Sequence, residues 1–117
     1  MRVADLKKTI REIPDFPKPG INFYDVSTLF RDAEAFRIAV DTMVERFRGE
    51  PVDAIAGIEA RGFVLAAAMA YRMETGLILV RKQGKLPADT EGESYTLEYG
   101  TAEVEMHRDA VEKDQRV

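Results

Sequence analysis

An α/β fold, a parallel sheet flanked by helices, is what this sequence predicts, and three stretches predict it. VDAIAGI (52–58) and LILV (77–80) are apolar runs of strand length. Between them GFVLAAAMAYRM (62–73) is apolar on every face and too long for an ordinary strand, so it reads as a buried helix. LILV has the character of a strand buried on both faces. Strand, helix and strand over so short a span make a βαβ unit, whose strands lie parallel with a right-handed crossover.

A chain of 117 residues suits one small domain. With 45% hydrophobic and 32% charged residues it can form a core and does not have the composition of a disordered chain. Seventeen basic against twenty-one acidic residues leave a net charge of -4, which gives no general attraction to nucleic acid. No apolar run approaches the ~20 residues of a membrane span, and the opening MRVADLKK has no signal-peptide core. Cysteine is absent, which excludes disulfides and thiolate metal sites and fits a reducing compartment. A cytoplasmic chain is expected. The single histidine, His107, argues against a histidine metal site and is expected on the outer face of a strand.

Val3, Leu6, Ile10 and Ile13 recur at helical spacing, which predicts an amphipathic helix over 3–13, ended by Pro14. PDFPKPGINFYD (14–25) cannot be helical; its prolines and glycine make a stiff, turning segment that holds Phe16, Phe23 and Tyr24. A second helix is predicted from about Asp32, its N-cap, to Phe47, with Phe36, Val40, Met43, Val44 and Phe47 as the buried stripe and Gly49 as the stop. Gly76 is expected to stop the 62–73 helix. PADTEGES is turn-rich and acidic. Tyr95, Leu97 and Tyr99, then Ala102, Val104 and Met106, alternate with polar residues on either side of YGT, which predicts a β-hairpin. KDQRV reads as a turn entering a further strand.

Ligands of open α/β sheets sit beyond the carboxyl ends of the parallel strands. Two such ends occur here, GIEARGF (57–63) and VRKQGKLP (80–87). Adjacent strands would bring Arg61 near Arg81, Lys82 and Lys85, and Arg61 also opens a helix whose N–H groups favour an anion. These cations suit a phosphate or diphosphate; they also suit a solvated surface, and the Glu and Arg of EARG suit a simple pair. Phe16, Phe23 and Tyr24 suit either ordinary packing or a stacking platform for a planar base. Asp89, Glu91 and Glu93 form a flexible acidic run, a poor cation cage. Glu98 beside Tyr99 has the look of a solvated rim.

IPDFPKPGINFYDVSTLF, GIEARGF, VRKQGKLP and ESYTLEYGTAEVEMHRDA together resemble, in order and spacing, the adenine phosphoribosyltransferases, from about residue 6 to 117. The resemblance implies a type I phosphoribosyltransferase fold with an N-terminal hood over the base (1–30) and the first part of an α/β core (31–117) carrying a mobile hairpin at about 86–107. It implies transfer of a 5-phosphoribosyl group from phosphoribosyl diphosphate (PRPP) to adenine, giving AMP and pyrophosphate with Mg²⁺, in a cytoplasmic homodimer of purine salvage. It places Phe23 where a ring stacks on adenine, and Asn22 and Tyr24 where backbone groups read the base edge. Glu59-Ala60 falls at a peptide held cis, and Arg61 in the loop that meets pyrophosphate. Arg81, Lys82 and Lys85 match the basic segment that meets pyrophosphate, in part from the neighbouring subunit. Glu98 and Tyr99 match the closing hairpin, the glutamate as the group that handles the proton at the base N7.

One part of the pattern is missing. The acidic pair and Thr-Gly-Gly-like loop that hold the ribose hydroxyls and 5-phosphate do not occur; the 117 residues contain no Asp-Asp and no Gly-Gly pair. The expectation is a truncated domain lacking the later strands and the PRPP loop, inactive by itself. A non-catalytic purine- or nucleotide-binding module, and a phosphoribosyltransferase for another purine base, remain as alternatives.

Overall fold

The structure, a computed structural model, describes residues 1–97 and 100–117. The chain forms two compact units, Met1–Arg46 and Phe47–Val117.

The first unit opens with a 3-10 helix, Val3–Thr9, rather than an α-helix to residue 13. Ile10 is extended, and Arg11–Ile13 instead forms strand β1, paired antiparallel with β2, Phe23–Asp25. Strand pairing thus overrides the helical spacing of Ile10 and Ile13. The proline-rich connection turns back through Asp15 and Gly20, both at positive φ (57° and 90°). Its closure comes from the Gly20 N–H donating to Asp15 Oδ1 (2.8 Å) and the Phe16 N–H donating to the Ile21 carbonyl (3.0 Å).

Two helices follow. The short α1, Ser27–Arg31, is absent from the sequence reading. Asp32 then caps α2, Ala33–Glu45, its Oδ1 accepting from the Ala35 N–H at 3.0 Å as its position predicts. The buried positions of α2 are Ala35 and Val40; Met43 and Phe47 of the expected stripe are exposed. Phe36 packs edge-on against Phe30 of α1, with centroids 5.8 Å apart.

The second unit is a four-stranded mixed sheet in the order β3-β4-β6-β5, from β3 (Ala54–Ile58), β4 (Gly76–Lys82), β5 (Thr90–Leu97) and β6 (Gly100–His107). Only β3 and β4 are parallel, in the register Ala54↔Gly76 to Ile58↔Val80. The expected hairpin is β5–β6, and it joins the sheet through β6, which pairs antiparallel with the end of β4 at Arg81↔Glu105 and Lys82↔Val104. The sheet is mixed because β4 runs two residues past Val80 and β6 takes up its edge. Beyond the hairpin, residues 113–114 turn and the Asp53 N–H donates to the Arg116 carbonyl at 2.8 Å and the Arg116 N–H to Asp53 Oδ2 at 2.8 Å, but 113–117 form no strand of the kind expected of KDQRV.

Helix α3, Arg61–Met73, joins the parallel strands. It is buried along one face, at Ala66, Met69 and Ala70, but not all round: Tyr71 is 88% exposed. Nor is β4 buried throughout, since Leu77 and Leu79 are exposed beside buried Ile78. Glu74, left-handed at φ 57°, ends the helix, and Gly76 already belongs to β4.

Gly57 sets how closely α3 can lie on β3. A Cβ there would fall 2.6 Å from Ala66 Cβ and 2.9 Å from the Gly62 carbonyl oxygen. Gly57→Ala should therefore cost about 1–3 kcal/mol through overpacking. At Gly76 a Cβ would meet nothing within 4 Å, and Gly76→Ala should stay within about 0.5 kcal/mol of the parent. Urea unfolding of the two variants measures the contrast.

Candidate active site

In the first unit the predicted base-binding residues Asn22, Phe23 and Tyr24 enter or form β2. Phe23 packs edge-on against Phe16, with centroids 5.1 Å apart and planes at 71°. Adjacent strand residues face opposite ways, so the Tyr24 and Phe23 rings cannot stack on one ligand. Tyr24, 62% exposed, lines a groove of about 760 Å³ with Lys7, Lys8, Ile10 and Glu12. The Asn22 side chain donates to Glu12 Oε1 at 3.3 Å, which leaves its backbone as the group to offer a base edge.

Asp25 holds this hairpin to α1. Its Oδ2 accepts from Arg11 Nε (3.0 Å) and Nη2, and its Oδ1 accepts from the Ser27 N–H (3.0 Å) and hydroxyl. The Thr28 hydroxyl adds a second tie: it donates to the Thr9 carbonyl and accepts from the Arg11 N–H at 3.1 Å. Neither residue stood out in the sequence. The Asp-x-Ser spacing of a local side-chain turn was the available signal for Asp25.

In the second unit the carboxyl ends of β3 and β4 lie side by side, and the Glu59 N–H donates to the Val80 carbonyl at 2.8 Å. The Glu59–Ala60 peptide is cis. Glu59 reaches across to β4. Its Oε1 accepts from Arg81 Nε at 3.1 Å and from the Lys82 N–H at 3.1 Å. The Arg81 guanidinium and then the Lys82 amide hold the Glu59 carboxyl below its ordinary range. Arg81 is thus an oriented, partly neutralised cation, not the bare charge that the sequence suggests. Arg61 is the first residue of α3 and is exposed.

Lys82 and Lys85 are exposed on a turn closed by the Lys85 N–H donating to the Lys82 carbonyl (3.2 Å), with Gly84 at φ 83° between them. The turn is fastened from β6: the Gln83 N–H donates to the Glu103 carbonyl at 3.1 Å, and the Gly84 N–H donates to Glu105 Oε1 at 2.7 Å. Glu105 escaped the sequence reading, because its partner is twenty-one residues away and its position in the alternation reads as solvent-facing. His107 ends β6 half-buried, its Nε2 accepting from the Ala88 N–H at 3.3 Å. Glu98 and Tyr99, assigned to catalysis by resemblance, lie outside the described residues. Among the described residues no group of three His, Asp or Glu side chains could hold a metal ion.

A βα pair with an ordered basic cluster at its strand ends, extended by an antiparallel hairpin, has the architecture of a phosphoribosyltransferase core. The chain is 55% identical over 114 residues to the adenine phosphoribosyltransferase of Brucella anthropi, covering 97% of this chain and 63% of that protein. The crystal structure of adenine phosphoribosyltransferase from Thermoanaerobacter pseudethanolicus superposes with a TM-score of 0.90 at 48% identity, over 97% of this chain and 66% of that one. That of Giardia lamblia APRTase, complexed with 9-deazaadenine, does so with a TM-score of 0.93 at 31% identity, over 98% and 64%. No family model matches. By sequence and fold the chain belongs to the adenine phosphoribosyltransferase family. It spans 63% of the length of the Brucella relative.

Asp25 yields a pH prediction. Its hydrogen bonds from Ser27 and Arg11 hold its pKa at about 2. An unfolded aspartate titrates near about 3.9. The stabilisation is therefore complete above about pH 4 and is lost as the pH falls through about 2. Urea midpoints measured from neutral to acid pH should fall less steeply for Asp25→Asn than for the parent.

Proposed function

We propose that these residues serve transfer of the 5-phosphoribosyl group of PRPP to adenine, with AMP and pyrophosphate as products. The observation that carries this reading is the ordered cation cluster at the ends of β3 and β4, in a chain 55% identical to an adenine phosphoribosyltransferase. In the reaction the bond from the ribose C1 to the diphosphate oxygen breaks, a base nitrogen takes its place, and the base loses a proton. Negative charge grows on the leaving diphosphate. Arg81, Lys82, Lys85 and Arg61 are proposed to stabilise it, with Glu59 fixing the Arg81 guanidinium so that little reorganisation is needed as the bond breaks. Glu59 and Ala60 present backbone at the same loop. Phe23, supported by Phe16, is proposed as the stacking surface for adenine, and the Asn22 and Tyr24 backbones as readers of its edge. Glu98 is proposed to handle the proton at N7, with Tyr99 beside it on a hairpin that shuts water out of the site.

Mg²⁺ is proposed to arrive on the diphosphate of PRPP, where it would neutralise leaving-group charge. The reading places the reaction in purine salvage in the cytoplasm, in a homodimer. Among the described residues no helix is long and apolar enough to cross a membrane. An acidic pair and a Gly-Gly loop for the ribose 5-phosphate do not occur in these 117 residues, and by themselves they are proposed to bind ligands without useful turnover.

Calorimetric titration with adenine, hypoxanthine and guanine, beside an assay of AMP formation from adenine and PRPP, tests the reading. Adenine is expected to bind in preference to the other bases, with negligible AMP formed. Tighter binding of another base would move the assignment to that base; rapid AMP formation would refute the inactivity of the isolated residues; and no purine binding would refute the base site. Phe23→Ala should weaken adenine binding about tenfold or more, the scale of one base–aromatic stack.

A further inference from the structure

The turn that carries Lys82 and Lys85 is closed by its own Lys85–Lys82 bond, and it is also fastened from outside. Glu105, on the central strand β6 of the hairpin sheet, stands opposite Arg81 of β4 and opposite Gly92 of β5. Its two carboxylate oxygens serve two separate points of the β4–β5 connection. Oε1 accepts from the Gly84 N–H at 2.7 Å, and Oε2 accepts from the Thr90 hydroxyl at 2.7 Å. One half-buried carboxylate thereby ties the turn at residue 84 to the start of β5 at residue 90. Both bonds have the short length of charge-assisted hydrogen bonds.

Glycine at position 84 suits the tie. Gly84 adopts φ 83°, a left-handed conformation that points its N–H as the bond requires at little cost. Gly92 lies opposite Glu105: a Cβ there would meet Glu103 Oε1 at 3.2 Å and only touch Glu105 Cγ at 3.5 Å. The Gly84 amide and then the Thr90 hydroxyl keep the Glu105 carboxyl below its ordinary range, in keeping with an anion that is used as one.

We infer that Glu105 is a positioning residue: its carboxylate sets the conformation of the 82–85 turn and so aims Lys82 and Lys85 at the diphosphate of the substrate. It touches no substrate in this scheme and acts only through the turn. The inference rests on the diphosphate reading proposed above and adds to it the residue that orders the cations.

The test compares Glu105→Ala with Glu105→Gln in the 117-residue chain. A glutamine can still accept from Gly84 and can donate to the Thr90 hydroxyl oxygen, so it preserves the tie without the charge; alanine removes it. Inorganic pyrophosphate, titrated calorimetrically, is expected to bind Glu105→Ala about tenfold more weakly than the parent, the scale of a lost hydrogen bond to a charged group. Glu105→Gln should stay within about threefold. Adenine affinity should not change in either variant, and Gly84 amide hydrogen exchange should quicken in Glu105→Ala. Unchanged pyrophosphate affinity in a folded Glu105→Ala chain overturns the inference, as does unchanged Gly84 exchange. If the alanine variant does not fold, Thr90→Val removes one of the two bonds and should show the same effects at smaller size; no effect there overturns the inference too. A parent chain that binds no pyrophosphate sinks the diphosphate reading itself, whereas the exchange of Gly84 still reports on the tie.

Discussion

The close approach of α3 to β3 at Gly57 is the constraint on which the second unit depends. A helix that follows a parallel strand must turn sharply to lie back on it, and here the backbone oxygen of Gly62 and the side chain of Ala66 occupy the space where any other residue at 57 would place its Cβ. That contact fixes the start of α3 beside the end of β3. The register Gly57↔Leu79 and Ile58↔Val80 then fixes the end of β4 beside both. The loop residues Glu59, Ala60 and Arg61 have their positions from this arrangement rather than from contacts of their own choosing.

The charges at these strand ends are coupled. Glu59 takes the guanidinium of Arg81 and the amide of Lys82, and Glu105 takes the amide of Gly84. Glu59 is satisfied by a guanidinium and an amide, Glu105 by an amide and the Thr90 hydroxyl. A cluster built this way offers an anion oriented donors instead of mobile lysines and arginines, which is where electrostatic stabilisation in an active site comes from. Glu59 partly neutralises the cluster, so formal charge in the sequence overstates the field that a ligand meets.

Much of the fold was legible. The βαβ unit, the Asp32 cap and the β5–β6 hairpin follow from periodicity and capping chemistry, which act within a few residues. The failures are instructive. Ile10 and Ile13 fit a helical stripe, yet residues 11–13 pair with 23–25, a partner brought near by the turn through Asp15 and Gly20. The all-apolar 62–73 segment left Tyr71 exposed, because composition says how apolar a helix is and not how much of it a neighbour covers. The mixed character of the sheet depends on an edge that β4 offers only by extending to Lys82.

The candidate site divides along the same line. By itself the sequence determined the elements, the residue types at the strand ends, the aromatic segment and, through its motifs, the family, since each is encoded in adjacent residues. Only the tertiary structure decided that Glu59 pairs with Arg81, that Asp25 ties β2 to β1 through Arg11, and that Glu105 fastens the basic turn. Hydrogen bonds between residues fourteen to twenty-two positions apart depend on register and on the direction of a side chain, and neither leaves a periodic trace in the chain.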